Sequence, residues 1–306
     1  MSAPTIPSTN GIWMTAVFLE AILQGMGLLQ AFLYFVWYHT DPWSVKGTVI
    51  AMVVVECVQM GAAYANVYGW LITGFGDHEN LNVIHSVDMV QLTALYLSTF
   101  IGQAHFARTI YHLHKGKGSV ILPVVVFVFA LIALGSGIGQ VILTIGVKHY
   151  SELGKTSATS NTQAAFALAA DMLITFGLCW RLSRSRGGIQ STNNVLNFLI
   201  LTAINRGVFT MLFAALNIIL FLTQPGTFYF MLALLLSDKF YMNSMLAMLN
   251  TRQYAVQLHG TTVVERISMP VFNSKNNIIQ SGITVSTMNE TQHDDMGVKK
   301  NENMTV

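Results

Sequence analysis

Six ionisable side chains stand inside long apolar runs: Glu20, Glu56, Asp171, Arg206, Asp238 and Lys239. A charge at the centre of a bilayer costs about 2.5–3.5 kcal/mol on insertion scales, so each needs a partner or a task. Carboxylates and cations at one depth can neutralise each other, bind a ligand or relay an ion. Asp171, Arg206, Asp238 and Lys239 lie near the midpoints of their runs, which puts them at nearly the same depth. Two uses are open for them. They form a neutral ion-pair network that fixes helix packing, or they are a ligand or ion site. Glu20 and Glu56 have no evident basic partner in the sequence and read as protonated or facing water.

Helical spacing sets each charge on a polar or small-residue stripe. At 100° per residue Thr202, Arg206, Thr210 and Asn217 share one face, as do Lys239, Asn243 and Asn250. Glu20, Gln24, Gly27, Ala31, Tyr34 and Tyr38 align on the first run, and Ala164, Ala167, Asp171 and Thr175 on the fifth. These faces are expected to turn inward and line a polar cavity. The candidate ligand or ion site is thus Asp171, Arg206, Asp238, Lys239, Asn243, Glu20 and Glu56.

The elements that carry these residues follow from composition. Apolar residues make up 53% of the 306 and charged residues 10%, against roughly 25% charged in an ordinary soluble domain. Mean hydropathy is +0.52. Fourteen acids and 16 bases cannot cover a soluble surface, and a net charge of +2 without a basic patch excludes nucleic acid. Seven runs reach the roughly 20 apolar residues that cross a bilayer: about 12–38, 46–72, 84–113, 119–147, 161–182, 194–223 and 226–250. Asp41-Pro42, Gly74-Phe75-Gly76-Asp77, Gly116-Lys117-Gly118 and Gln224-Pro225-Gly226 break them. The expected fold is all-α: a seven-helix polytopic membrane domain over 12–250. It follows a short extracellular tail, 1–11, and precedes a disordered cytosolic tail, 251–306. Residues 1–11 carry no Lys or Arg, so the first run reads as a span and not a cleaved signal.

Basic residues orient the bundle. Lys46, Arg108, Lys115, Lys117, Arg181, Arg184, Arg186, Arg252 and Arg266 fall on one side, against Lys148 and Lys155 on the other. The N-terminus is expected outside and the C-terminal tail in the cytosol, leaving the sequons at Asn289 and Asn303 unmodified. Trp13, Trp37, Trp43, Trp70 and Trp180 fall at span ends or in adjoining loops and read as an interfacial belt. His105, His112 and His114 read as a basic cluster facing anionic lipid, and the spacing of His112 and His114 speaks against a metal. Gly135 and Gly139 form a small-xxx-small pair for close packing, within the bundle or between copies. Cys57 and Cys179 lie in apolar runs and imply no disulfide framework.

The second half carries a recognisable order of motifs: Asp171-Met172-Leu173-Ile174, Ser185-Arg186-Gly187, Ile204-Asn205-Arg206-Gly207, then Leu236-Ser237-Asp238-Lys239-Phe240-Tyr241-Met242-Asn243-Ser244 and Leu249-Asn250-Thr251-Arg252. Gly27-Leu28-Leu29-Gln30 and Tyr68-Gly69-Trp70-Leu71-Ile72 precede them. Over residues 12–252 the chain resembles a seven-helix family of unknown function abundant in mushroom-forming fungi. The resemblance implies a fold and a membrane, and no activity. It also implies that Asp171 and Lys239 are the family's own charged positions. Asp238 and Arg206 depart from its pattern, which implies a compensated Arg206–Asp238 pair in this chain.

Other seven-helix families fit less well. A rhodopsin-like receptor would carry D-R-Y where His105-Phe106-Ala107-Arg108-Thr109 stands, and a Pro in the last span. A retinal pocket would need midspan Trp. Intramembrane hydrolases and haem cytochromes would need midspan His. No Ser/His/Asp set or phosphate loop is present, so neither an enzyme nor a cofactor is expected. The sequence reads as a receptor-like, ligand-sensing protein. Its partners are the lipid bilayer, a small-molecule ligand, and a cytosolic protein at loops 105–117 and 181–190 and at the tail. The alternative is a secondary transporter or proton-coupled carrier using the midplane charges. Long spans point to the plasma membrane.

Overall fold

The computed structural model describes residues 10–77, 82–113, 120–184, 190–223, 227 and 229–259. Contacts divide the chain into two units, 1–262 and 263–306, and every described residue lies in the first. The expectations for the N-terminal tail through residue 9, His114, Lys115, Lys117, Arg186 and Pro225-Gly226 lie outside the described residues. So do those for the C-terminal tail beyond His259, including Asn289 and Asn303.

Seven long helices make up the described bundle: α1 (Asn10–Trp37), α2 (Trp43–Tyr68), α3 (Ser86–His112), α4 (Ile121–Ile145), α5 (Ser157–Arg184), α6 (Gln190–Thr223) and α7 (Tyr229–His259). A π-helical turn, Gly69–Thr73, extends α2, and a 3₁₀ helix, Tyr150–Thr156, leads into α5. The helices track the apolar runs but overshoot them where the flanks are polar. α5 begins at Ser157 and α7 continues nine residues past Asn250. Hydropathy stops at such flanks, whereas the i→i−4 hydrogen bonds do not. Five helices are long and apolar enough to cross a membrane: α1, α2 with its π turn, α4, α5 with the 3₁₀ helix, and α6. α3 and α7 carry more polar residues because they are enclosed. α7 packs against α1, α2, α3 and α6, and α3 against α2, α4, α5 and α7, so their polar side chains meet protein and not lipid.

The interior is layered. One apolar cluster fills the end towards the start of α2, with Tyr34, Met52, Phe106, Ile174, Met242 and Leu246 among its members. A second fills the opposite end around Trp13, Ala63, Trp70, Leu95, Tyr150 and Leu235. Each of α1, α2, α3 and α7 passes from one cluster to the other through a buried polar residue: Glu20, Glu56, Ser98 and Lys239. The first-run stripe is buried as expected, with Glu20, Gln24, Gly27, Ala31 and Tyr34 all inward.

Two expectations need correction here. Trp13 and Trp70 are 3% and 2% exposed and do not belong to a lipid-facing belt. They stack edge to face at 4.9 Å, and Tyr150 closes a three-ring cluster at 5.9 and 6.0 Å. The π turn supplies Trp70, so a span-end indole here caps the core instead of anchoring to headgroups. His105 is likewise buried, against Phe106, and does not face lipid; His112 is exposed.

Within the bundle, close helix approach in α4 comes from Gly137 and not from Gly135 and Gly139. A Cβ on Gly137 would lie 2.6 Å from the Tyr96 ring, while one on Gly135 meets nothing within 4 Å. Gly137→Ala should therefore cost about 1–3 kcal/mol by overpacking, with Gly135→Ala near neutral. Thermal melts of the two variants in one detergent check this contrast.

Candidate functional site

The midplane charges do not form one network. α7 divides them into two because Lys239 and Tyr241, two residues apart, project about 200° from each other. On the α1–α2 side, the Lys239 ammonium donates to Glu56 Oε2 at 2.5 Å and to Gln59 Oε1 at 2.6 Å. The Gln59 amide donates onward to Glu20 at 3.0 Å, and the Ser98 hydroxyl donates to the other Glu56 oxygen at 2.5 Å. Glu20, Glu56, Gln59, Ser98 and Lys239 are all fully buried. Glu56 therefore has a basic partner after all, and neither glutamate faces water. Depth alone could not reveal a partner 183 residues away.

On the α5–α6 side, Arg206 donates to Asp171 at 2.9 Å, both side chains being buried. Gln103 donates to the same carboxylate oxygen at 3.2 Å, and the Tyr241 hydroxyl donates to the other. The Arg206 guanidinium lies 4.1 Å from the Phe106 ring centroid and 4.7 Å from that of Tyr241. Its remaining N–H groups, which lack hydrogen-bond acceptors, are thus faced by two π clouds. Arg206 pairs with α5 and not with Asp238, so the expected compensated pair does not form. Asp238 is 1% exposed and sits in the field of Lys239, Glu56 and Glu20.

Asn243 belongs to neither charged group as a side-chain partner. Its amide donates to the Leu23 and Lys239 carbonyls at 3.1 and 2.9 Å. Asn250 donates to the Gln30 carbonyl at 2.8 Å. These amides strap α7 along α1. The residues missed in the sequence are the uncharged ones, Gln59, Ser98, Gln103 and Tyr241. Their signal was available: amides and hydroxyls buried at midspan need hydrogen-bond partners as surely as charges do.

A cavity of about 560 Å³ opens a different view of the bundle. It runs from the ends of the helices near Trp13, Asp88 and Tyr150 down to Asp171 and Tyr241. Asp171 stands 14 residues into α5, about 21 Å along its axis. The walls are mainly apolar or small, including Leu95, Leu168, Phe213 and Leu234. The polar stripes line it only in part: Asp171, Thr210 and Asn217 do, whereas Glu20, Glu56, Arg206, Asp238, Lys239 and Asn243 do not. At the upper end, Asp88 accepts from the His85 backbone N–H at 2.7 Å and from Asn66 at 2.5 Å. Tyr150, the first residue of the 3₁₀ helix before α5, faces Asp88; burial and that carboxylate push its hydroxyl well above the usual phenol range. The phenol thus remains a donor at neutral pH. Among the described residues no group of three or more His, Cys, Asp and Glu could hold a metal ion.

Residues 167–254 match the model of a family of unknown function, DUF6534. The matched stretch carries the Asp171–Arg206 pair, Lys239 and Tyr241, and hence the floor of the cavity. No curated protein and no solved structure matches the chain.

Proposed function

We propose that this chain is a seven-span ligand-sensing membrane protein. Its N-terminus lies outside and its C-terminal tail in the cytosol, and it belongs to the fungal seven-helix family that residues 12–252 resemble. The single observation that carries the reading is the cavity ending on the Asp171–Tyr241 floor. Its size falls in the range of small-molecule sites, roughly 300–1,000 Å³. It sits at the N-terminal end of α1, which the basic-residue asymmetry places outside. Beneath the floor, the core around Phe106, Ile174 and Met242 is packed. An occupant would bear on Asp171 and Tyr241, and Tyr241 is on α7 beside the residues that hold α1 and α2. Ligand occupancy can thereby bias how α7 sits against its neighbours. The basic inner face, with Arg108 and Arg184 exposed, is the side on which a cytosolic partner would read that change. The role is sensing and not catalysis, and the plasma membrane is its proposed location.

The alternative of a proton-coupled carrier rests on the same charges. Both predict different behaviour in vesicles. Purified full-length chain in nanodiscs is expected to release a bound small molecule in native mass spectrometry, and Leu168→Trp, which fills the cavity, should remove it. Liposomes under an imposed potential and pH gradient should show no flux. Flux abolished by Asp171→Asn would overturn the sensing reading in favour of the carrier.

A further inference from the structure

Among the described residues that line the cavity, Gln91 carries an amide donor that the protein leaves unused. Gln91, on the second turn of α3, is 4% exposed and lines the upper part of the cavity. Asn66 donates to its carbonyl oxygen at 3.0 Å, which fixes the orientation of the amide. Its Nε2 is buried and has no hydrogen-bond acceptor. An unsatisfied buried amide is costly, so an acceptor oxygen at this point would be held firmly. The floor makes no such demand. Asp171 is already satisfied by Arg206, Gln103 and Tyr241, and an apolar end can rest against it without leaving a charge bare. Polarity at the top and apolar walls below describe the shape of an amphiphile.

The route in follows from α5 and α6. These helices touch where Thr175 occupies the space over Gly207, too close for any side chain on residue 207. Farther up, the α5 face towards the cavity includes Asn161, Ala164 and Ala165, all exposed although they line it. Exposed cavity-lining residues above a tight contact place the entrance between these two helices. At roughly 30 Å³ per water-sized group, the cavity has room for about 20 non-hydrogen atoms.

We propose that the cavity takes a neutral, single-chain amphiphile from the bilayer, held by its oxygen at the Gln91 amide and admitted between the outer halves of α5 and α6. This deepens the sensing reading and rests on the same cavity. Its chemistry is that of a long-chain alcohol or similar neutral lipid, with the oxygen about 7.5 Å along α3 from Ser86, near the level of lipid headgroups.

The test uses full-length chain in nanodiscs doped with a diazirine-bearing hexadecanol, followed by irradiation and peptide mapping. Label is expected on the peptides holding 88–99, 161–168 and 210–217. Gln91→Leu should reduce label on the first of these about fivefold, the loss of one neutral hydrogen bond. Ala164→Trp with Ala165→Trp should reduce label on all three while the melting temperature stays near wild type; Gly135→Trp, on the open face of α4, serves as a control for bulk. Label confined to lipid-facing positions of α4 overturns the proposal. Label at 88–99 untouched by Gln91→Leu overturns the anchoring, and label untouched by the two tryptophans overturns the route. Hexadecanol that seats as expected while protease accessibility of the inner face at Arg108 and Arg184 stays unchanged would sink the sensing reading and leave this assignment standing.

Discussion

Lys239→Met is expected to cost about 3–5 kcal/mol of folding stability, the usual effect of removing one partner from a buried ion pair. The ammonium is fully buried with Glu56 and Gln59 as its acceptors, so its removal leaves a carboxylate in the core with only the Ser98 hydroxyl donating to it. Three acids, Glu56, Glu20 and Asp238, then share the pocket with no cation among them. The second half of the prediction is the recovery. Lys239→Met combined with Glu56→Gln removes both charges and keeps a polar group for Ser98, and should regain most of the loss. The difference between the double variant and the sum of the singles is the measurement, made by SDS-titration unfolding of the full chain in mixed micelles. A single Lys239→Met variant as stable as wild type would show that the pair is not an ion pair in the folded protein.

Arg206→Met is expected to have the second largest effect, again about 3–5 kcal/mol, but with a different signature. Arg206 is held by Asp171 on one side and by the Phe106 and Tyr241 rings on the other. Arg206→Lys keeps the charge and loses the flat guanidinium that fits between the rings, so it should recover only part of the stability. Arg206→Met with Asp171→Asn should recover more than Arg206→Lys if the pair's charge balance dominates. The same set bears on the cavity floor. Tyr241 loses the ring-stacked cation, and ligand release in native mass spectrometry should change with it. Lys239→Met/Glu56→Gln, on the far side of α7, should leave ligand content close to wild type. Equal effects of the two double variants on ligand content would contradict the division of the midplane by α7.

How far the sequence could be read depends on which coordinate a pattern encodes. Apolar run length gives position along the bilayer normal, and the seven runs accordingly coincide with α1 to α7 to within a few residues, except at polar flanks such as residues 157–160. Helical periodicity gives the angle about each axis, so the stripes of Glu20 and Lys239 turn inward as expected, while in that of Arg206 the flanking Thr202 and Asn217 are only half-buried. Neither encodes which helix lies next to which face. Arg206 and Asp238 share a depth, yet one meets Asp171 and the other lies beside Lys239. Neighbour order is set by packing such as Gly207 under Thr175 and Gly137 under Tyr96, which a single chain does not announce. The cavity expected along the polar stripes lies largely elsewhere for a related reason. It is made by what small residues fail to fill, and Ala164 and Ala165 look like any helix surface until their neighbours are placed.

The indole pair at the upper end of the bundle has an optical consequence. Trp13 and Trp70, edge to face at 4.9 Å and shielded from lipid, are close enough for their transitions to couple, so the folded chain should show a near-ultraviolet circular dichroism couplet. Trp43 and Trp180 are exposed and should be reached by bilayer-resident bromolipid quenchers that spare the buried two. Because Trp13 also walls the cavity, whatever enters beneath it should perturb that couplet while the quenchable emission stays constant. The protein carries its own dye for occupancy, with a reference lamp beside it.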